Sequence, residues 1–387
     1  MGSPRAIDRA RDGARVVRPV TGVVLGVAAM LLAGCSLVDS PSATPTDQAP
    51  LAPAGSVGYV VCPNEVTPVE LDTDTTEAPI SLPVSGSPIP GDFAIATSPD
   101  GQWAYVVTSD GSPSAKGSGE GTHNVVIPID LATQQAELPI PIPGQGGTRA
   151  IVVLPGGGTV LAASGDSIVP IAAATRKVGT PLDLGTGHSV LGMALDPLST
   201  MLYALVAGGV IPVDTANATA GALIPTGLSV SSVYSPHGIV VSNDGATVYV
   251  VGQGGTDFEG QVLPIDVATD AAQTATGFAK FGISDPAAIA LTPDGSTLLV
   301  ADSGSDWVSQ IAVADSANPS APIRLPQRAA GSGSEHPTDI VAGPGGTGAF
   351  VVDGFDSVIP YDPTSEAFGP PMAVCSGASS MAVAAAP

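Results

Sequence analysis

The chain has 387 residues, of which 44% are apolar but only 4% aromatic, and Gly and Pro together supply 86. That balance excludes a long-helix or disordered protein and calls for a core of Val, Ile, Leu and Ala in short strands joined by tight turns. Residues 35–387 carry 7 Lys/Arg against 33 Asp/Glu, a net charge of −26, a field that repels nucleic-acid phosphates and anionic headgroups and so excludes both as partners of the folded part.

Residues 1–18 contain five arginines and are followed at 19–34 by 16 mostly apolar residues. This run is shorter than the roughly 20 residues a bilayer span needs, and with its basic flank it reads as an export signal. Its end, Leu32-Ala33-Gly34-Cys35, resembles the lipobox of bacterial lipoprotein precursors. The resemblance implies that residues 1–34 are removed as a signal peptide and that Cys35 carries diacylglycerol and palmitate. The chain would then be held at the extracytoplasmic side of the cell membrane. Residues 35–56 are rich in Pro, Ala, Ser and Thr without strand periodicity, and are expected to form an extended, unpacked tether.

From residue 57 onward one unit repeats. The pentapeptide apolar-x-Pro-apolar-Asp stands at 126–130 (VIPID), 210–214 (VIPVD), 262–266 (VLPID) and 358–362 (VIPYD). Looser copies at 66–70 (VTPVE), 168–172 (IVPIA) and 311–315 (IAVAD) make seven, spaced by 60, 42, 42, 52, 49 and 47 residues. Such a period, built from β-branched runs and Gly/Asp turns, fits one blade of a four-stranded propeller, since a lone blade cannot bury both faces.

Each unit opens with a short apolar strand whose second place is Ile95, Ile151, Met193, Ile239, Ile289 or Ile340, flanked mostly by Ala, Gly or Val. Turns such as SPDG at 98–101 and TPDG at 292–295 follow, with Asp100, Asp244 and Asp294 reading as turn-formers. A second strand, the Pro-containing third strand and a looser fourth complete the blade. Proline cannot donate to the ladder, so a bulge or strand end is expected there. The first unit lacks its opening strand, and residues 382–387 (AVAAAP) align with 94–99 (AIATSP). The ring should therefore close by pairing the C-terminal strand with the N-terminal blade, which removes free edges. The expected fold is an all-β, seven-bladed propeller over residues 57–387.

The text SPDGQWAYVVTSDG from Ser98 and TPDGSTLLVADSGSD from Thr292, each followed by a V-x-P-I-D-like run, resembles the YVTN family of β-propeller repeats. The resemblance implies the fold; its motifs are blade motifs and carry no functional residue.

With Cys35 lipidated, Cys62 and Cys375 remain. The first ends the second strand of blade 1 and the second precedes the strand that should lie beside it, so a disulfide clasping the closure is expected. It spans 313 positions, and the chain-entropy model gives such a loop about 4 to 5 kcal/mol.

Function should reside on the face where the entry loops and the loops joining second and third strands emerge. Entry loops place Asp92, Arg149, His188, His237, Asp285, Glu335, His336 and Asp339 there, and connecting loops add Asp110, Glu120, His123, Asp257, Glu259, Asp306 and Asp356. No HExxH, GxSxG or Cys/His pair occurs. The reading this supports is a noncatalytic binding or scaffolding module of the bacterial envelope. It would recognise a protein, glycan or small molecule through Asp92, Arg149, His188, His237, Asp285, His336 and Asp339. The alternative is a metal-assisted lactone hydrolase or lyase using His188, His237 or His336. No cofactor is expected, calcium or another divalent metal being the one candidate.

Overall fold

A computed structural model describes residues 51–84, 93–109, 124–144, 147, 149–197, 200–230, 238–255, 259–316, 318–326, 336–346 and 348–384. Among these, seven antiparallel sheets form a β-propeller. Their innermost strands are Ser380–Ala384 for blade 1, then Ala94–Thr97, Ile151–Val153, Val190–Leu195, Ile239–Val241, Pro286–Leu291 and Asp339–Ala342 for blades 2 to 7. Each packs against the inner strand of the next blade, and blade 7 against blade 1.

The alternation of each strand explains the ring. One face of blade 2 sends Ile95, Val106 and Ile127 against Tyr59, Val61 and Val66 of blade 1. The other sends Ala94, Tyr105 and Val107 against Ile151, Val160 and Val169 of blade 3. Burying one such Val, Ile or Leu side chain is worth roughly 1.5–3 kcal/mol, a gain an isolated blade would forfeit on both faces. Tyr59, Tyr105, Tyr203 and Tyr249 stand opposite Pro68, Pro128, Pro212 and Pro264 in the neighbouring third strand. Burial, followed by Glu77 and Glu70, pushes the Tyr59 hydroxyl up to about 12.

The prolines correct one expectation. The third strand runs unbroken through Pro128, Pro170, Pro212 and Pro264 in continuous register with the second strand. The interruption falls in the fourth strand instead. That strand is split into two short pieces, as in Lys177–Val178 and Leu182–Asp183 of blade 3, with the gap opposite the proline nitrogen that has no hydrogen to offer. The proline carbonyls are still used: Pro68, Pro128, Pro170, Pro212, Pro264 and Pro360 each accept an N–H from the fourth-strand segment at 2.7–3.0 Å.

Two registers also differ from expectation. In blade 6 the third strand is Trp307–Ala312, and Gln310, opposite Leu299, takes the place held elsewhere by proline. The IAVAD text lies three residues too late, and Val313–Asp315 is a 3-10 turn. Gln310 Nε2 donates to the Tyr361 hydroxyl and to the Pro363 carbonyl at 3.1 Å, linking blades 6 and 7. In the closing strand, Ala382 rather than Ala384 pairs with Tyr59, so the strand sits two residues from the expected alignment and Met381 fills the place of Ile95.

Closure itself is as expected. Ser380–Ala384 pairs antiparallel with Val57–Cys62. Cys62 and Cys375 form a disulfide, with Cα atoms 6.1 Å apart. Asp339 adds a third tie: the side chain is fully buried, and its Oδ2 accepts the Met381 N–H at 2.9 Å while Oδ1 accepts that of Ile340 at 2.8 Å. Residues 51–56 are not the unpacked end of a tether. Ala52 is buried, Ser56 accepts the Leu71 N–H at 3.0 Å, and Gly343 and Gly348 of blade 7 lie so close to Leu51 that neither has room for a Cβ.

Replacing Asp339 by Ala should lower stability by about 1–3 kcal/mol, because the buried Met381 N–H loses its acceptor. Reducing the disulfide, or changing Cys62 and Cys375 to Ser, should cost about 2–5 kcal/mol. Urea unfolding reads both; a midpoint unchanged by either perturbation would contradict the role given to that tie.

Candidate functional site

The loop-rich face carries two groups of residues. The first is a cleft of about 710 Å³ lined by the entry loops of blades 3, 4 and 5. Arg149, Ser189 and Ser229 supply its polar groups, and Leu191, Leu228 and Val230 its apolar ones. A register shift between Val190 and Gly192 leaves Leu191 as an extra residue in the inner strand of blade 4. Such a bulge re-aims a side chain, here into the cleft wall. Ser229 and Gln253 exchange N–H···O bonds at 2.8 Å, which pins the entry loop of blade 5. Gly208 and Gly227 line the cleft with φ of 88° and 66°, and nothing lies within 4 Å of where a Cβ would stand. The cleft is thus uncovered beside both glycines.

The second group joins blades 6 and 7. Asp302, only 1% exposed, accepts the Ser305 N–H and hydroxyl at 2.9 Å and the Asp285 N–H at 3.2 Å. Asp285 in turn accepts from the Ser303 hydroxyl at 3.3 Å. Asp306 accepts the His336 N–H at 3.1 Å and faces Arg324 at 3.6 Å. Asp353, which stands in blade 7 where Asp302 stands in blade 6, accepts three N–H groups at 2.9–3.0 Å. These carboxylates brace tight turns.

The sequence candidates therefore separate. Arg149 lies on the cleft. His188 is half-buried, and its Nδ1–H donates to the Leu184 carbonyl at 2.7 Å, closing its own loop. His336 is exposed, with Nδ1–H donating to the Ser303 carbonyl at 2.8 Å, and it is brought together with Asp285 through Ser303. Asp339 does not stand at the mouth: its side chain is turned to the neighbouring strand, where the Met381 N–H satisfies it. Asp92, His237, Asp110, Glu120, His123, Asp257, Glu335 and Cys35 lie outside the described residues. Among the described residues no group of His, Cys, Asp and Glu is arranged to hold a metal ion. Ser189, Leu191, Leu228 and Ser229 were not singled out from the sequence, because nothing in their types marks them. Only the bulge and the loop bridge bring them to one wall.

No family model matches the chain, and no curated protein matches its sequence. Solved structures do resemble it. A chain of hydrazine synthase from Kuenenia stuttgartiensis is similar with a TM-score of 0.61 and 18% identity, over 76% of this chain and 90% of that one. A chain of the nidogen/laminin complex is similar with a TM-score of 0.53 and 11% identity, over 86% and 99%. At such identities the likeness speaks for the β-propeller fold alone.

The aspartates predict opposite responses to pH. Hydrogen bonds from Thr292 and Ser296 hold Asp294 down to about 2, and Asp100, Asp214, Asp244 and Asp266 are lowered in the same way by the Ser, Asn or Thr of their turns. Each contributes stability that is present above its ordinary value of 3.8 and lost as pH falls through the lowered one. Burial raises Asp302, so its contribution is present below 3.8 and lost as pH rises through the raised value. Melting curves followed from about pH 2 to 7 should show Asp294→Asn flattening the acid-side loss and Asp302→Asn flattening the loss on the other side. Curves parallel to wild type would contradict these assignments.

Proposed function

We propose that this chain is a lipid-anchored β-propeller of the YVTN type, held at Cys35 on the extracytoplasmic side of a bacterial membrane. It acts as a noncatalytic binding module through its loop-rich face. The observation that carries the reading is the Arg149 cleft, an open recess walled by three blades on a scaffold whose closure is tied three ways. A rigid frame with adaptable loops is the usual division of labour in binding proteins. Support for the anchor comes from the leader and the Leu32-Ala33-Gly34-Cys35 text. The two similar structures come from an enzyme and from a complex between two proteins, so the fold does not choose between the classes. Noncatalytic binding is favoured because His188 and His336 each commit Nδ1 to a backbone carbonyl and Asp302 is buried among turn amides.

In cells fed an alkynyl palmitate, the wild-type chain should be labelled and membrane-bound, and Cys35→Ser should be neither. Ser229→Trp fills the cleft from an exposed position. Crosslinking in intact cells should give a reproducible adduct that Ser229→Trp abolishes and Leu138→Asp, at 84% exposure on the outer rim, retains. An adduct indifferent to Ser229→Trp would overturn the use of this face. Stoichiometric bound metal with a chelator-sensitive melt would overturn the noncatalytic reading.

A further inference from the structure

The turns that join first to second and third to fourth strands emerge on the face opposite the loop-rich one, and the chain enters the propeller from that turn face. Val57–Cys62 is the second strand of blade 1, so Val57 stands at its turn-face end and Cys62 at its loop-face end. Residues 51–56 are held where they enter. The Ser56 N–H donates to the Pro53 carbonyl at 3.1 Å, and the Gly55 N–H donates at 3.2 Å to Asp72, in the turn after the third strand. Leu51 and Pro53 lie against Gly343, Gly345 and Gly348, in the turn joining the two innermost strands of blade 7. The point from which the preceding chain departs is therefore fixed on the turn face, with the third and fourth strands of blade 7 still between it and the rim.

Residues 36–50, fifteen in number, separate Cys35 from Leu51. A flexible chain of that length spans about 20 Å. To bring the loop-rich face down to the surface that holds Cys35, it would have to pass two strand spacings outward and one six-residue strand upward, a path of about 30 Å. A domain standing on its turn face needs no such stretching. Charge does not turn it over, because both faces are acidic: Asp166, Asp183 and Glu259 stand on the loop-rich face, and Asp100, Asp214 and Asp294 on the turn face. We propose that the chain, attached through its N-terminal end, holds its loop-rich face away from the attachment, so that the partner of that face approaches from outside and is not the bilayer surface carrying the anchor. This rests on the reading of Cys35 as the anchor and of the loop-rich face as the binding face, and adds the direction of approach to it.

Energy transfer to the bilayer tests this. Cys62 and Cys375 are bonded to each other and Cys35 would be acylated, so one introduced cysteine is the only free thiol. Ala207 and Ala216, both exposed, flank the third strand of blade 4, Gly209–Asp214, and so lie about 20 Å or more apart on opposite faces. The acylated chain carrying Ala207→Cys or Ala216→Cys is labelled with a donor dye and placed in vesicles that hold acceptor-labelled lipid. Transfer from Ala216→Cys should exceed that from Ala207→Cys about twofold or more, as such an offset along the strand requires. A second preparation, with hexahistidine in place of residues 1–35, sits on nickel-chelating lipid and reads the same geometry without acylation. Equal transfer from the two sites, or more from Ala207→Cys, on either attachment would overturn the inference. If the acylated form cannot be obtained while the hexahistidine chain shows the offset, the Cys35 anchor falls and the orientation stands. If the acylated chain enters the vesicles without an offset, the anchor stands and the orientation falls.

Discussion

Closure of the ring is the constraint on which the rest of this structure depends. Every blade has two apolar faces and only its neighbours to cover them, so six well-packed seams are of little use if the seventh stays open to water. That seam is made by joining chain segments more than 300 positions apart, as the separation of Cys62 and Cys375 shows. Bringing such distant segments together costs loop entropy before any contact repays it. The molecule meets this cost with a paired strand, a disulfide and a buried carboxylate within the same few residues. Once closed, the frame fixes where each entry loop emerges, and the cleft exists only because three such loops are held side by side.

The departures from the repeat are concentrated where the frame is under most demand. First places of the inner strands are small, as in Ala94, Gly192, Gly238 and Ala288, but blade 7 carries Asp339 there, and its carboxylate reaches the closing strand. Blade 6 replaces the repeated proline by Gln310, whose amide reaches Tyr361 in blade 7. Polar side chains thus tie blades 6, 7 and 1 to one another beside the apolar clusters those blades share, as the buried Asn124 amide ties blade 2 to blade 3 by donating to the Ser164 hydroxyl at 2.8 Å. A buried hydrogen-bonded group tolerates fewer geometries than an apolar one, so these ties set register as well as adding stability.

Much of the acidity has a local use. Asp130 and Asp214 accept turn N–H groups at the end of their third strands, and Asp100, Asp244 and Asp294 do the same after the inner strands. A short carboxylate is the economical way to satisfy amides that no ladder reaches. The same repeated solution leaves the chain strongly acidic.

The seven blades, the order of strands within them, the closing pair of strands and the cysteines that clasp it were legible in the amino-acid sequence. All of these follow from a repeat of side-chain types at a nearly constant spacing. Alternation reports which face a residue takes but not which partner it meets. Ala and Val runs near residue 384 therefore allowed a shift of two, which keeps every side chain on the same face. The tertiary structure set that register: Ser380–Ala384 pairs with Val57–Val61, and Met381 comes opposite Val60. It also turned Asp339 inward, since a Met381 N–H waited across the seam, and it assembled the cleft from serines, leucines and glycines that share nothing in sequence except the loops a closed ring places together.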